Sequence, residues 1–536
     1  MSMPHMPPVN MIRQLLVFEP YVPRRLRFWL VVMMALFYQF VGGVYLASLS
    51  QMVGELGVLS EDVNMGSYCS LIGLNIIFPM MFRWKFGLYS RQMFFLPSCA
   101  IIVCSVLACY VTSPVAFWII CFFAGYFKMM GMFSCMSTIQ LNITPTRDFA
   151  VFFPVIYVIV CGAIQLSGLV TAYVTYFTNW RMMNLVVMAM MLIIDFIVYF
   201  FMRHDHRSGP YIPLKGIDWV GQILWTLLCV CAAWIFTFGE HYDWWDSVEI
   251  WRGTFVFLFL LVTTLLYSHF KKDTYIPLKA FTYSATWSLI VLLMAIAVLH
   301  GSAHVLQPIF LANVLGYDNL NIISLNYPEL AGIIMGAILA YFILIRWRYT
   351  IKYYLMLTFI FVGYYVLSLY YMCDNQTDKE TLYLAMFALG VSEVMMETVT
   401  TYYLSQKIPF KHFFMNIAIV GFVRCGVGTA AGAAIVHRLF SWAQTKSFMI
   451  ASESFTHDTP TGQFINDFST DQVISLQSMM MALKECYGYM ILLVIVVLLF
   501  ILLSRYRTDI RRFVPRMMSI RRWMSHPTSP DPTTVK

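Results

Sequence analysis

Residues 216–269 read GIDWVGQILWTLLCVCAAWIFTFGEHYDWWDSVEIWRGTFVFLFLLVTTLLYSH. The stretch holds two apolar runs, Val220–Phe238 and Thr254–Tyr267, joined by a polar connector that carries Trp244, Trp245 and Trp251. With its flanks, each run reaches the roughly 20 residues that a helix needs to cross a bilayer. Working outward from this pair, six apolar spans precede it, near 28–50, 65–82, 93–112, 115–138, 150–174 and 182–202. Six follow, near 287–312, 328–345, 354–372, 381–404, 415–437 and 483–504. The pair itself is placed at 219–239 and 253–269. The reading predicts an all-α polytopic membrane protein with fourteen spans in a 6+2+6 order.

Bulk composition agrees. The 536 residues are 60% hydrophobic and only 12% charged, about half the charge of an ordinary soluble chain. The net charge of +8 does not signal a nucleic-acid partner, because the basic residues sit in short loops beside spans. With the N-terminus in the cytoplasm, 27 of the 35 lysines and arginines fall on that side and six on the other. This bias predicts both termini inside, at a cytoplasmic (inner) membrane. Segment 1–27 has no cleavable-signal pattern, since the run after it is full span length. The twelve cysteines are scattered and mostly intraspan, with neither metal spacing nor a disulfide framework. No cofactor is expected, and no nucleotide loop or nucleophile–base set suggests an enzyme.

The segments follow: an N-terminal piece 1–27, a six-helix bundle 28–202, a central linker 203–286 with the two extra helices, a second bundle 287–504, and a basic tail 505–536. Residues 438–482 are expected as a long outer loop, a candidate docking surface for a periplasmic adaptor. The tail mixes Arg with Phe, Met and Trp and suits the anionic inner membrane surface.

Ionisable groups at bilayer depth must pair, face water or titrate. Lys128 and Asp195 lie about equally deep in the fourth and sixth spans. Either they form a buried ion pair, or, as the family resemblance given below implies for the fourth helix, Lys128 faces a cavity and meets an anionic or carboxyl-bearing substrate. Glu393 and Glu397 share one face of the twelfth span. Arg424 lies at the depth of Glu397 and is expected to pair with it. That leaves Glu393 near the midplane as the first candidate proton carrier, with Glu397 and Asp195 also candidates. His300 and His304, one turn apart, are either polar packing or part of a proton relay with Glu393. Two His without a third ligand are a poor metal site. Gln307 after them and Gln39 in the first span are candidate substrate contacts. Abundant Met with Phe and Tyr makes adaptable apolar walls.

The 6+2+6 order, with several local stretches, resembles the fourteen-helix drug:proton antiporter branch of the major facilitator superfamily (EmrB/QacA type). The stretches are GIDWVG at 216–221 with Gly239 and Trp244–Ser247, VYLASLSQMVGELGV at 44–58, FLANVLGYD at 310–318, FVRCGVGTAAGA at 422–433, and Trp180-Arg181 with Asn184. Departures accompany them. Val41 stands where that family carries a first-helix Asp, the 81–92 loop lacks the family's acid, and CGAIQLSGLVTA lacks the fifth-helix proline. The resemblance implies two six-helix bundles plus two central helices. It implies alternating access, proton-coupled efflux of amphipathic small molecules, and multidrug resistance. An exporter of an anionic metabolite, or an inner-membrane component of a multi-protein export assembly, is the alternative.

Overall fold

A computed structural model describes residues 17–41, 46–144, 148–204, 206–207, 211–271, 274–347, 351–453 and 468–504. The basic tail, Arg13 and Arg147 lie outside the described residues. Fifteen helices build the fold: α1 Arg24–Phe40, α2 Ser60–Ile76, α3 Gln92–Tyr110, α4 Pro114–Ile143, α5 Phe149–Phe177, α6 Met182–Phe201, α7 Trp219–Phe238, α8 Val248–Phe270, α9 Ser284–Ile309, α10 Asn326–Tyr341, α11 Ile351–Met372, α12 Tyr383–Lys407, α13 Phe410–Arg424, α14 Val427–Glu453 and α15 Phe468–Leu503. Shorter helical turns join them. Among the described residues, thirteen stretches are long and apolar enough to cross a membrane, with α13 and α14 forming one of them. The fourteenth expected span, α1, has 17 helical residues. Its outer part is a separate helix, Leu49–Leu56, closed by Gly57 in the left-handed region.

Two further expectations are corrected. Residues 438–482 are not one long loop: α14 runs on to Glu453 and α15 starts at Phe468. Polar residues there sit at the ends of long helices, 27 residues in α14 and 36 in α15, a composition that hydropathy reads as loop. The span near 415–437 is not one helix either. It breaks between α13 and α14, where Cys425 is extended and Gly426 has φ +98°.

The two halves repeat one packing scheme. In the first, α1 packs on α4 and α5, α2 on α4, and α3 on α4 and α6. In the second, α9 packs on α12 and α14, α10 on α12, and α11 on α12 and α15. Small residues set the closest crossings in both halves. A Cβ on Gly73 of α2 or Gly125 of α4 would collide with the facing carbonyl of Phe122 or Ser70. Gly332 of α10 and Gly390 of α12 stand likewise against the carbonyls of Phe387 and Glu329. Lipid offers no hydrophobic drive for helix association, so such close packing carries it.

The halves meet along α5, which packs on both α10 and α12, and along α2 against α13 and α14. The central pair does not stand apart. Helix α7 lies in the seam between α2 and α14, and α8 packs outside it with most of its surface exposed. At the turn between α7 and α8, Trp244 Nε1 donates to Glu240 (2.8 Å), and Glu240 pairs with Arg438 of α14 at 3.3 Å.

At the opposite end of this hairpin, Asp218 caps α7 by accepting from the Gly221 N–H at 3.1 Å. It also accepts from Tyr267 Oη (2.6 Å), Lys271 Nζ (2.8 Å) and the Tyr275 N–H (2.9 Å). Burial pushes the Asp218 carboxyl up, but these donors outweigh it and hold it below the ordinary value of 3.8. The folded value is depressed, so the clamp contributes stability above the unfolded value and loses it as pH falls through the folded one. The melting temperature of wild type is therefore expected to fall more steeply below about pH 4 than that of Asp218→Asn, with the two curves measured in the same detergent. Parallel curves would remove the clamp from the stability of the hairpin.

Candidate functional site

The inter-bundle contact between α5, α10 and α12 is polar where the surrounding helices are apolar. Helix α5 presents Tyr157, Cys161 and Gln165 at i, i+4 and i+8, one face of a helix. Helix α12 presents Thr401, Glu397 and Glu393 at the same spacing, antiparallel to it. The rungs meet. Tyr157 Oη and Thr401 Oγ1 are 2.5 Å apart. Cys161 and Glu393 lie within electrostatic reach of each other. Gln165 Nε2 donates to Glu329 Oε1 of α10 at 2.7 Å.

Arg424 closes the Tyr157–Thr401 end of this ladder. Its Nη1 lies 2.5 Å from Glu397 Oε2, with both side chains less than one-fifth exposed. The same nitrogen is 3.4 Å from Tyr157 Oη. Arg424 is the last residue of α13, where the helix dipole favours a cation. The break after it frees backbone groups at membrane depth, and the structure fills some of them. Asn75 Nδ2 of α2 donates to the Cys425 carbonyl (3.3 Å), and the Gly426 N–H donates to Thr429 Oγ1 (3.0 Å). Interrupted helices of this kind are tolerated where they line protein or a cavity.

The ladder therefore runs from Thr401 and Arg424 through Glu397 and Glu393 to Glu329. Tyr157, Gln165, Glu329, Glu393, Glu397 and Arg424 are all half-buried despite their depth, as expected of groups lining a cleft between two bundles. It holds three carboxylates and one guanidinium. Electrostatic contact extends from Glu393 to both Glu397 and Glu329.

The remaining predicted residues are placed elsewhere. Lys128 and Asp195 do not pair. Asp195 accepts from Ser98 and, at 3.8 Å, from Cys99 Sγ, both on α3. Lys128 is 8% exposed, and no acidic side chain pairs with it among the described residues. Cys425, just after α13, lies within its electrostatic reach. Equal depth put the two residues at one level but said nothing about which way each faces around its helix. His300 is half-buried with its Nε2 lacking a hydrogen-bond partner, and His304 is exposed. No hydrogen bond or ion pair joins either to Glu393 among the described residues. Gln307 Oε1 accepts from Tyr365 Oη at 2.9 Å. Gln39 is buried near the end of α1, two residues before the buried Val41. Among the described residues no three His, Cys, Asp or Glu side chains converge as metal ligands would.

Glu329 was missed in the sequence because its span was placed from residue 328, which puts a Glu at the water boundary. A preceding helix, Asn319–Ile323, extends the apolar stretch outward to Asn319. Continuing the hydropathy count through Asn319–Tyr327 would have shown Glu329 to be interior.

Comparison with solved structures places the architecture. A peptide transporter in complex with alafosfalin superposes with a TM-score of 0.57 at 12% identity, covering 92% of this chain and 98% of that one. The fold is that of the major facilitator transporters. A structure described as showing substrate recognition in proton-dependent oligopeptide transporters gives 0.56 at 14% identity, over 90% of this chain and 99% of that one. A bacterial homologue of the human drug peptide transporters PepT1 and PepT2 gives 0.54 at 13%, also over 90% and 99%. The chain thus shares the major facilitator fold with proteins described as transporters, not enzymes. At these identities the likeness is one of fold, and it does not single out the drug-antiporter branch. No protein-family model matches the sequence, and no curated protein matches it.

Proposed function

We propose that this protein is a proton-coupled secondary transporter working by alternating access, with Glu393 as its proton carrier. The charge count of the ladder carries this reading. Three carboxylates face one guanidinium inside the bundle interface, and Arg424 is taken by Glu397. An uncompensated carboxylate at bilayer depth is costly, so Glu393 and Glu329, which lack a cationic partner among the described residues, are the groups placed to take up protons. When the bundles part, water reaches the ladder and the protons can leave. Release on one side and capture on the other couples bundle motion to the proton gradient.

The cargo of this reading is an amphipathic small molecule moved out of the cell across the inner membrane, with both termini cytoplasmic as the loop charges indicate. Met, Phe and Tyr walls suit such cargo. A second reading, an anionic or carboxyl-bearing substrate, is favoured by Lys128, whose buried ammonium lacks an acidic partner among the described residues. A buried, uncompensated charge is strongly destabilising unless something neutralises it, and a substrate carboxylate would do so.

The test uses proteoliposomes with an imposed pH gradient, offered a fluorescent amphipathic cation and, separately, a carboxylate-bearing dye of similar size. Gradient-driven accumulation of either supports a proton-coupled transporter. Uptake of the carboxylate dye, reduced about tenfold or more in Lys128→Gln as expected for a lost charge-assisted hydrogen bond, selects the second reading. Uptake of the cation, indifferent to Lys128, selects the first. Equal flux with and without the gradient would sink proton coupling.

A further inference from the structure

The ladder between the bundles is short of cations. Glu329, Glu393 and Glu397 stand against one guanidinium, and Arg424 lies on Glu397. Among the described residues no Lys, Arg or His pairs with Glu329 or Glu393. With every carboxyl ionised, a closed interface would hold two negative charges without a partner at bilayer depth, where each is costly.

The closest crossing of α10 and α12 holds these two acids side by side. Gly390, three residues before Glu393, has no room for a Cβ against the Glu329 carbonyl. Gly332, three residues after Glu329, is equally tight against the Phe387 carbonyl. The carboxyls therefore lie within electrostatic reach of each other. Sharing a single proton takes a hydrogen bond between the two carboxyls, as in a carboxylate dyad. None joins them among the described residues, because each faces its own neighbour on α5. Gln165 Nε2 donates to Glu329 Oε1 at 2.7 Å. Cys161, one turn earlier, is within reach of Glu393. The Gln165 amide carries both a donor and an acceptor, so it suits Glu329 as the ion and as the acid. The other ionisable neighbours supply no cation: Tyr365 of α11 lies near Glu329, and Cys425 near Glu393. His300 and His304 of α9 make no hydrogen bond or ion pair with either acid among the described residues.

We propose that one transport cycle carries two protons, one on Glu393 and one on Glu329. The inference rests on the proton-coupled reading above and adds its stoichiometry and a second carrier. Two protons bring the closed ladder to neutrality, with Glu393 and Glu329 as acids and Glu397 paired with Arg424. Each carboxylate takes its proton from water on one side of the membrane and returns it to water on the other. A single proton would leave one bare carboxylate inside the interface, so a half-loaded ladder resists closing. Both protons are thereby tied to the same movement of the bundles.

The experiment uses the full-length protein in proteoliposomes, with the membrane potential clamped at zero by potassium and valinomycin. The probe is the amphipathic cation dye or the carboxylate dye, according to which the wild type moves. A dye gradient is set against a pH gradient, and the point of zero net flux is found. There, each coupled proton balances a dye ratio of about tenfold per pH unit. Wild type is expected to balance about a hundredfold per unit, and Glu329→Gln and Glu393→Gln about tenfold each. Each glutamine mimics the protonated acid, so the variants still cycle, and the double variant balances at equal dye concentrations. A wild-type balance of about tenfold would overturn the second proton. A balance of about a hundredfold kept by Glu329→Gln would overturn Glu329 as its carrier. Wild type balancing at equal dye concentrations would sink proton coupling itself, a failure distinct from both. The wild-type ratio needs no variant, so the stoichiometry is tested even if a variant fails to insert.

Discussion

Glu393→Gln is expected to fold normally, to exchange substrate across the membrane at close to the wild-type rate, and to lose gradient-driven accumulation by roughly a hundredfold, the scale of removing a group that transfers protons. Gln keeps the shape and polarity of the side chain, so the packing of this rung survives while the proton site does not. A neutral amide mimics the protonated acid, which holds the bundles free to rock with cargo on either side. The decisive comparison is counterflow against pH-driven uptake in the same proteoliposomes. Loss of both would mean that Glu393 holds the structure and does not carry the proton. Retention of both would move the carrier to Glu329, the other ladder carboxylate without a cationic partner, or away from the ladder to Asp195.

Arg424→Met is expected to destabilise the protein by about 3–5 kcal/mol, the usual cost of leaving one member of a buried ion pair without its partner. The pair spans only 2.5 Å, and the guanidinium also approaches Tyr157, so its removal strands Glu397 and loosens the contact between α5, α12 and α13 together. Adding Glu397→Gln should recover most of the loss, because the double variant buries no uncompensated charge. Thermal unfolding of the four proteins of this cycle, read at one detergent concentration, gives the coupling directly. Additive losses, with no recovery in the double variant, would show that the pair contributes through packing and not through charge.

Much of the fold was legible because a membrane helix must satisfy its backbone internally and hide it in apolar side chains. Long apolar runs such as 219–239 and 287–312 therefore lie close to helices α7 and α9. Legibility failed where the chain departs from that economy. The break at Cys425-Gly426 hides within a glycine-rich run, Gly421 to Gly432, that composition alone reads as close packing. Polar residues at the ends of long helices, as where α14 ends and α15 begins, have the composition of a loop. For the site, depth along a span could be counted from the sequence, and it placed Glu397 level with Arg424. Direction around the helix axis could not be counted, since a residue's azimuth depends on how whole helices pack. Lys128 and Asp195 were matched on depth alone and face different neighbours. The motif resemblance and the solved structures agree on the fold, which packing dictates; a likeness of fold does not choose a branch, which depends on a few interior side chains such as Val41.

The four-residue spacing on both α5 and α12 has a mechanical consequence. Two antiparallel helices whose polar groups recur every turn can slide past each other and re-pair, but only after a shift of about 5.4 Å, one full turn. At half that distance each carboxylate and hydroxyl would lie against the methyl groups between rungs. The interface between the bundles thus behaves as a detent with discrete stops, and intermediate positions are barriers. A carrier built on such a contact would hop between settings and hold each one, keeping a sealed barrier on one face until the other has shut.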